Sequence, residues 1–259
     1  LLAGLKLLGG DVISTVGIID LNDQVAQRWE YEMNQIAIPW EYDALPEVEI
    51  VKEEARYFDC DVFVFCASAS VPAVGEKLAD YRMVQFAANA KIVARFARMA
   101  RKQGFLGEFA VVSDPVDQLC RVALWESNQD HQGNLDCQGL LPEQIRGYGL
   151  GVMNSRAAYY AKKDPRFHQF LVEGRAYGPH GRGLVIADSI INYQDGLSQE
   201  LTRLAETANL RTRETGFKPY VAPALSSGAI SLLLRLRSQW HYSSTFLGGV
   251  YFGAKNRST

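Results

Sequence analysis

The sequence predicts an α/β protein: a parallel sheet covered by helices, followed by a region of mixed helices and paired strands. Short β-branched or aromatic segments alternate with amphipathic helical segments from residue 11 to about 125, which is typical of βαβ units. Beyond that region, strand-like segments face each other across a short loop and lie between long helical segments. We therefore expect the chain to change character between a first and a second half.

The composition is that of a folded globular protein. The chain has 259 residues, 47% hydrophobic and 22% charged, with a net charge of -2. It has no basic run suited to nucleic acid and no apolar stretch of bilayer length, so we expect neither partner. The four cysteines show neither metal-ligand spacing nor a dense disulfide pattern, which favours a reducing, cytoplasmic setting.

Local composition predicts each element of the first half. A leucine-rich helix ends at Gly9-Gly10. The strands are segments rich in β-branched and aromatic residues, at 12–20, 48–51, 61–66 and 108–113, and all but 48–51 are expected to be buried. The helices have apolar residues at helical spacing, at 22–35, 82–102 and 116–125. Residues 67–79 and 127–139 are predicted loops.

The second half predicts longer helices and shorter strands. Residues 146–151 are glycine-rich and open a helix that is clear at 155–163. Two further helices are predicted at 194–209 and, strongly apolar, at 224–238. Strands at 175–177 and 183–188 flank a loop, and 240–252 is strand material with no evident partner.

His180 is the most informative single residue. It lies in the loop Tyr177-Gly178-Pro179-His180-Gly181, where glycine on both sides permits a sharp turn and a close ligand approach. An imidazole held in such a turn can exchange a proton near neutral pH. A surface histidine of no catalytic role fits the same five residues.

Four further charged residues stand in similar contexts. Asp20 ends a strand, where an acid can bind ribose hydroxyls or simply close a turn. Asp114 follows a buried strand, at the sheet edge where ligands bind. Arg156 follows a glycine-rich approach and Arg82 begins a helix after a loop. Each guanidinium can bind a carboxylate, although both positions also suit a solvated surface arginine.

Taken in chain order, these motifs resemble the lactate/malate dehydrogenase family. The matches are Asp20 at a strand end, Arg82 seven residues before Asn89, Asp114-Pro115-Val116-Asp117, Gly147 to Gly151 before the Arg156 helix, Gly178-Pro179-His180-Gly181, and Ala224-Leu225-Ser226-Ser227-Gly228. The resemblance implies a Rossmann-type parallel-sheet domain at 1–140 and an α+β substrate domain at 141–259. It also implies that a first strand with its glycine loop, and further C-terminal elements, belong to a longer parent protein.

The resemblance implies a role for each matched residue. His180 would exchange the proton, Arg156 would clamp the substrate carboxylate, and Arg82 would polarise the carbonyl. The implied cofactor is NAD, and the implied substrate is a small 2-oxo or 2-hydroxy acid. The implied assembly is a homodimer or homotetramer. The implied sets are catalytic (His180, Arg82, Asp114), substrate-binding (Arg82, Arg156, Asn89, Ser226) and cofactor-binding (Asp20, Ala67, Ser68, Asp114).

Three departures from the family pattern leave two hypotheses open. Met153 stands where the family has the aspartate partner of the histidine, and Asp114 stands where it has an asparagine. The loop before Arg82 is longer, and the part of that loop ahead of Gly75 has no second arginine to bind a malate-type carboxylate. Either Asp114 serves as partner of His180, or as anchor of an amine or imine, in an enzyme of shifted specificity. Or the chain is a non-catalytic relative that binds a dinucleotide or a protein partner.

Overall fold

The computed structural model describes residues 1–69 and 81–257, and only the backbone of 81–85. The strands are β1 (Thr15–Ile18), β2 (Glu47–Ile50), β3 (Val62–Phe65), β4 (Glu108–Val111), β5 (Ile145–Gly147), β6 (Arg175–Tyr177), β7 (Val185–Ala187), β8 (His241–Leu247) and β9 (Val250–Asn256). The helices are α1 (Leu2–Leu8), α2 (Asp23–Asn34), α3 (Tyr81–Lys102), α4 (Val116–Ser127), α5 (Leu150–Ala161), α6 (Phe170–Glu173), α7 (Asp195–Glu214) and α8 (Ser231–Leu236). The predicted α/β class is confirmed.

A five-stranded sheet in the order β3-β4-β5-β8-β9 forms the centre of the described structure. β3, β4 and β5 are parallel, whereas β8 is antiparallel to β5 and β9 to β8. β1 and β2 form a separate parallel pair, and β6 and β7 a separate antiparallel pair. The central sheet takes strands from both sides of residue 140, so the division into 1–140 and 141–259 stays a prediction.

Helices cover both faces of the central sheet, which explains why β4 has a continuous apolar sequence. Phe109 and Val111 pack with α3 and α4 on one face, while Ala110 packs with α1 and α8 on the other. A third apolar cluster joins α5 and α7 to the β6–β7 pair. The carboxyl ends of β3, β4 and β5 are left at one edge of the sheet.

The predicted buried strand at 12–20 is shorter and more exposed than its composition indicates. β1 covers Thr15–Ile18, and both Thr15 and Gly17 are exposed. In the described residues β1 pairs with β2 alone, and composition does not report how many strands flank a segment. The predicted strand at 48–51 is confirmed as β2, one residue earlier.

The structure adds a strand that the sequence analysis missed and lengthens the helix after it. β5 is only three residues long and is defined by its pairing with β4, from Phe109↔Ile145 to Val111↔Gly147. α5 begins at Leu150, five residues before the predicted start at 155. The first turn of α5 contains Gly151. A residue with a β-carbon does not fit there, because this atom would lie 2.5 Å from the Ser226 carbonyl oxygen.

Two predicted segments near the C-terminus differ from the structure. The single helix expected at 224–238 is a π-helical segment, Pro223–Ile230, followed by α8. The strand material at 240–252 folds back on itself as the β8–β9 hairpin, so β8 is the partner that the sequence did not reveal. Gly248 and Gly249, at φ +60° and +94°, make the tight turn, because two-residue hairpin turns need positive φ.

Candidate active site

The ends of β3 and β4 are joined by side-chain hydrogen bonds at the carboxyl edge of the sheet, where the candidate site lies. Ser113 Oγ, after β4, donates a hydrogen bond of 2.6 Å to the carbonyl oxygen of Ala67, after β3. The buried Asn89 on α3 joins the same two ends: its Oδ1 accepts from Ala69 N at 2.9 Å, and its Nδ2 donates to the Asp114 carbonyl oxygen at 2.9 Å. The turn after β4, which includes the cis Asp114–Pro115 bond, is therefore held from two sides.

His180 and Asp114 form a close pair at this edge. His180 Nδ1 lies 3.0 Å from Asp114 Oδ1, although 66 residues separate them in the chain. The histidine side chain is 14% exposed and that of the aspartate is 38% exposed. A carboxylate at Nδ1 fixes that nitrogen as the protonated one, and leaves Nε2 to exchange a proton with a ligand.

Backbone contacts fix the His180 loop. Gly178 has φ +86° and donates from its N–H to the Gly253 carbonyl oxygen at 2.8 Å, which ties the loop to β9. Gly149, at the start of α5, lies so near that a β-carbon there would be 3.1 Å from His180 Cβ. Gly178 thus forms the turn before His180, and Gly149 permits close packing beside it.

Met153 is buried and supplies no carboxylate at the position where the resemblance implies an aspartate. It is 1% exposed and packs in the α5–α7 apolar cluster. Its Sδ accepts a hydrogen bond of 3.3 Å from Arg156 Nη1. A thioether has no charge that could balance an imidazolium. The carboxylate that contacts His180 is that of Asp114.

A second carboxyl group, Asp117, lies close enough for its charge to interact with the His180–Asp114 pair. Burial raises the pKa of Asp117 to about 6, and the negative charge of Asp114 acts in the same direction. A hydrogen bond donated by Ser244 on β8 and the charge of His180 act against that rise. Asp117 is absent from the site residues that the sequence predicts, and its fourth place in the motif Asp114-Pro115-Val116-Asp117 was the available signal.

The remaining candidates are Ser226, in the π-helical segment, and Arg82, on α3. Ser226 is half-buried in the π-helical segment, and its carbonyl oxygen accepts from Ser231 Oγ at 3.0 Å. Its neighbour Ser227 anchors that segment, accepting from Val152 N at 2.8 Å and donating to the Gly149 carbonyl oxygen at 2.9 Å. Arg82 lies on the first turn of α3, but its side chain and most of the predicted loop at 67–79 lie outside the described residues.

The predicted cofactor residues stand at the ends of β1, β3 and β4. Asp20 is exposed, and its Oδ1 accepts from Asn22 N at 2.8 Å, so it also closes the turn that precedes α2. Ala67 and Ser68 are exposed directly after β3. A carboxylate after β1 and open backbone after β3 suit the ribose and phosphates of a dinucleotide. In the ranges 1–69 and 81–257, no three His, Cys, Asp or Glu side chains group as a metal site requires.

The fold, a Rossmann-type sheet followed by an α+β region, is shared with lactate and malate dehydrogenases of known structure. A lactate dehydrogenase from Cryptosporidium parvum, solved with lactic acid and nicotinamide adenine dinucleotide, matches at a TM-score of 0.74 and 17% identity, over 99% of this chain and 83% of that one. The malate dehydrogenase of Picrophilus torridus matches at 0.72 and 15%, over 99% and 82%.

Sequence comparison agrees with the shared fold. No family model matches the chain. The L-lactate dehydrogenase of Treponema denticola is 25% identical over 167 residues, which cover 64% of this chain and 46% of that enzyme, so the match spans about half the relative's length. The chain is therefore similar in both sequence and fold to lactate and malate dehydrogenases. No helix in the described ranges is long and apolar enough to cross a membrane.

Proposed function

We propose that this chain carries the substrate-reducing site of an NAD-dependent oxidoreductase that interconverts a 2-hydroxy acid and a 2-oxo acid. The observation that supports it most is the contact of 3.0 Å between His180 Nδ1 and Asp114 Oδ1. A histidine oriented by a carboxylate at the carboxyl edge of a parallel sheet is equipped for proton transfer to a bound ligand. The pair therefore replaces the histidine–aspartate arrangement that the resemblance implies and that Met153 removes.

The residues of the chain divide the chemistry among them. A nicotinamide dinucleotide, held by Asp20, Ala67 and Ser68, supplies or accepts the hydride when bound. His180 donates the proton from Nε2 to the carbonyl oxygen, which becomes the hydroxyl of the product. Asp114 stabilises the imidazolium before that transfer. Arg156, by its place in the resemblance, binds the substrate carboxylate with two parallel hydrogen bonds, and Arg82 polarises the carbonyl.

The substrate is proposed to differ from those of the relatives at one position. Asp114 puts a carboxylate where the family pattern has a neutral amide. A negative charge beside the reacting carbon favours a substrate with a positive charge there, such as a 2-imino acid formed from a 2-oxo acid and ammonium. A protein that only binds a dinucleotide or a partner is the second candidate, and the buried Met153 in place of an acid favours it.

A substrate panel tests the proposed function. The full-length protein is mixed with NADH and a series of 2-oxo acids, each with and without ammonium, and oxidation is followed by absorbance. We expect turnover with at least one compound, and we expect His180→Asn to reduce kcat by about 10²–10⁴-fold, because it removes the acid–base group.

The matched control is His168→Asn, which changes the histidine that follows the short turn Pro165–Phe167. It should leave turnover within about twofold. Turnover that His180→Asn leaves unchanged would remove His180 from the mechanism. No oxidation across the panel, together with no binding of NADH, would favour the partner-binding candidate.

Asp20 predicts the choice of cofactor. A carboxylate that binds ribose hydroxyls repels the extra phosphate of NADP, so we expect tighter binding of NADH than of NADPH. Replacing Asp20 with serine should reduce that preference by about tenfold, a free-energy change of about 1.4 kcal/mol. Fluorescence titration with both cofactors measures it. Asp23→Ser, an exposed acid on the first turn of α2, is the control, and tighter NADPH binding by the unmodified protein contradicts the prediction.

The assembly and the cellular setting are carried over from the resemblance as proposals. A homodimer or homotetramer and a cytoplasmic location suit a dehydrogenase of this type. Light scattering of the full-length protein measures the first.

A further inference from the structure

Among the described residues, the side chain of Asn89 links the segment after β3 to the backbone of Asp114. It is 1% exposed and lies on α3, beyond the backbone-only residues 81–85. Its side-chain oxygen accepts from Ala69 N and its amide nitrogen donates to the Asp114 carbonyl oxygen, both at 2.9 Å. Both hydrogen-bonding ends of this side chain are thus engaged with backbone, in a place with little water to replace them.

These bonds continue directly into the proposed proton-transfer group. The residue whose carbonyl oxygen binds Asn89 is the one whose carboxylate lies 3.0 Å from His180 Nδ1. A hydrogen bond to the main chain at Asp114 limits rotation of the turn that carries this carboxylate. Ser113, one residue earlier, ties the same turn to Ala67 through a separate bond that does not involve the Asp114 carbonyl.

We propose that Asn89 is a positioning residue that orients the Asp114 carboxylate towards His180 and couples this pair to the segment after β3. The inference rests on the proposed function, and it changes the role expected for Asn89 from substrate contact to orientation of the acid–base pair. Ala69 lies after β3, so a change in the backbone at Ala69 acts on the His180 ring through three hydrogen bonds, those of Ala69 with Asn89, Asn89 with Asp114, and Asp114 with His180.

The arrangement has this consequence only because the acid is at Asp114. With an acid at position 153 on α5, the partner of His180 would belong to another element, and Asn89 would hold a turn without a catalytic carboxylate. In this chain the hydrogen bonds at Asn89 and at His180 share one residue. The two links are therefore expected to change together.

The test measures the ring of His180 directly. The full chain, labelled with ¹⁵N, gives ring-nitrogen shifts that report which nitrogen carries the proton, and the spectrum of His180→Asn identifies the signal among the four histidines. We expect the protein to show predominantly the Nδ1–H form at neutral pH, and Asn89→Ala to show a mixture of both tautomers. Ser113→Ala, which removes the other tie between the strand ends, should leave the His180 signals in place.

Kinetics give a second measurement where the substrate panel has found turnover. Asn89→Ala should lower kcat by about tenfold and change KM by less than about twofold, since a displaced acid–base pair impairs the chemical step more than binding. A rise in KM at unchanged kcat would instead make Asn89 a substrate-binding residue and overturn the proposal.

Thermal unfolding of each variant shows whether it folds, and Asn89→Leu, which has a similar size and can form neither bond, serves if Asn89→Ala does not fold. Unchanged His180 ring shifts in a folded Asn89 variant would overturn the proposal. The ring measurement needs no turnover, so failure of the proposed function and failure of this inference are distinguishable.

Discussion

Replacing Asp114 with asparagine should lower kcat by about 10²–10³-fold, while the protein remains folded. The amide has nearly the shape of the carboxylate and can still meet His180 Nδ1, which is 3.0 Å from Asp114 Oδ1. It carries no charge, so it stabilises the imidazolium less, and its NH₂ group favours the tautomer with an unprotonated Nδ1. Steady-state kinetics of the full-length protein on the substrate found in the panel measure the loss.

A second substitution makes this test specific. Met153 stands where the resemblance places the acid partner of the histidine, on the helix that also carries Arg156. Adding Met153→Asp to Asp114→Asn should therefore recover kcat by about tenfold, and Met153→Leu should not. Unchanged kcat in Asp114→Asn contradicts the assignment of Asp114 as partner of His180, whatever the double variant does.

Replacing Asp117 with asparagine should stabilise the protein by about 2–3 kcal/mol at pH 8. Burial raises the pKa of Asp117 to about 6, from an ordinary value of 3.8. The stabilisation linked to its protonation is complete below pH 3.8 and is lost as the pH rises through 6. Asparagine cannot ionise and can still accept from Ser244, so the variant avoids that loss.

The measurement is the free energy of unfolding in urea for both proteins from pH 5 to pH 8. The gap should open through pH 6, and an equal gap at pH 5 and pH 8 would contradict the prediction. His241 has the opposite pH dependence: burial first, then Arg146 and Arg235, lower its pKa to about 4, so its contribution is lost as pH falls from 6.5 towards 4. Comparison at each pH cancels this effect because both proteins contain His241.

Ser244→Ala is the matched control, since it removes the hydrogen bond that favours the ionised carboxylate. The alanine variant should lose stability at pH 8 and very little at pH 5, the reverse of the change expected for Asp117→Asn.

Sequence patterns predicted the elements whose local composition agrees with their surroundings. β3, β4 and α4 are examples, because strong apolar periodicity and burial coincide there. β5 was missed since three residues including an arginine and a glycine become a strand only through pairing with β4. The β8–β9 turn was missed although Gly248-Gly249 was a sufficient signal, because the segment was treated as one strand.

The site shows the same limit at the level of single side chains. The sequence identified His180 and Asp114 separately, and it raised their pairing as one of two hypotheses. Their contact depends on a turn after β4 and a loop after β6 that approach each other only in the folded chain. The two hydrogen bonds between the Asn89 side chain and the backbone could not be predicted either, because the local sequence of a helix does not show which groups an amide side chain will contact.

The position of the acid partner has a consequence for classifying proteins of this kind. A search that judges catalytic competence by the residue three places before Arg156 finds Met153 and discards the chain. In space, a carboxylate is nevertheless within hydrogen-bond reach of the histidine ring. A search for a carboxylate near that ring in space, rather than for an acid at one sequence position, would identify proteins in which a different element carries the acid.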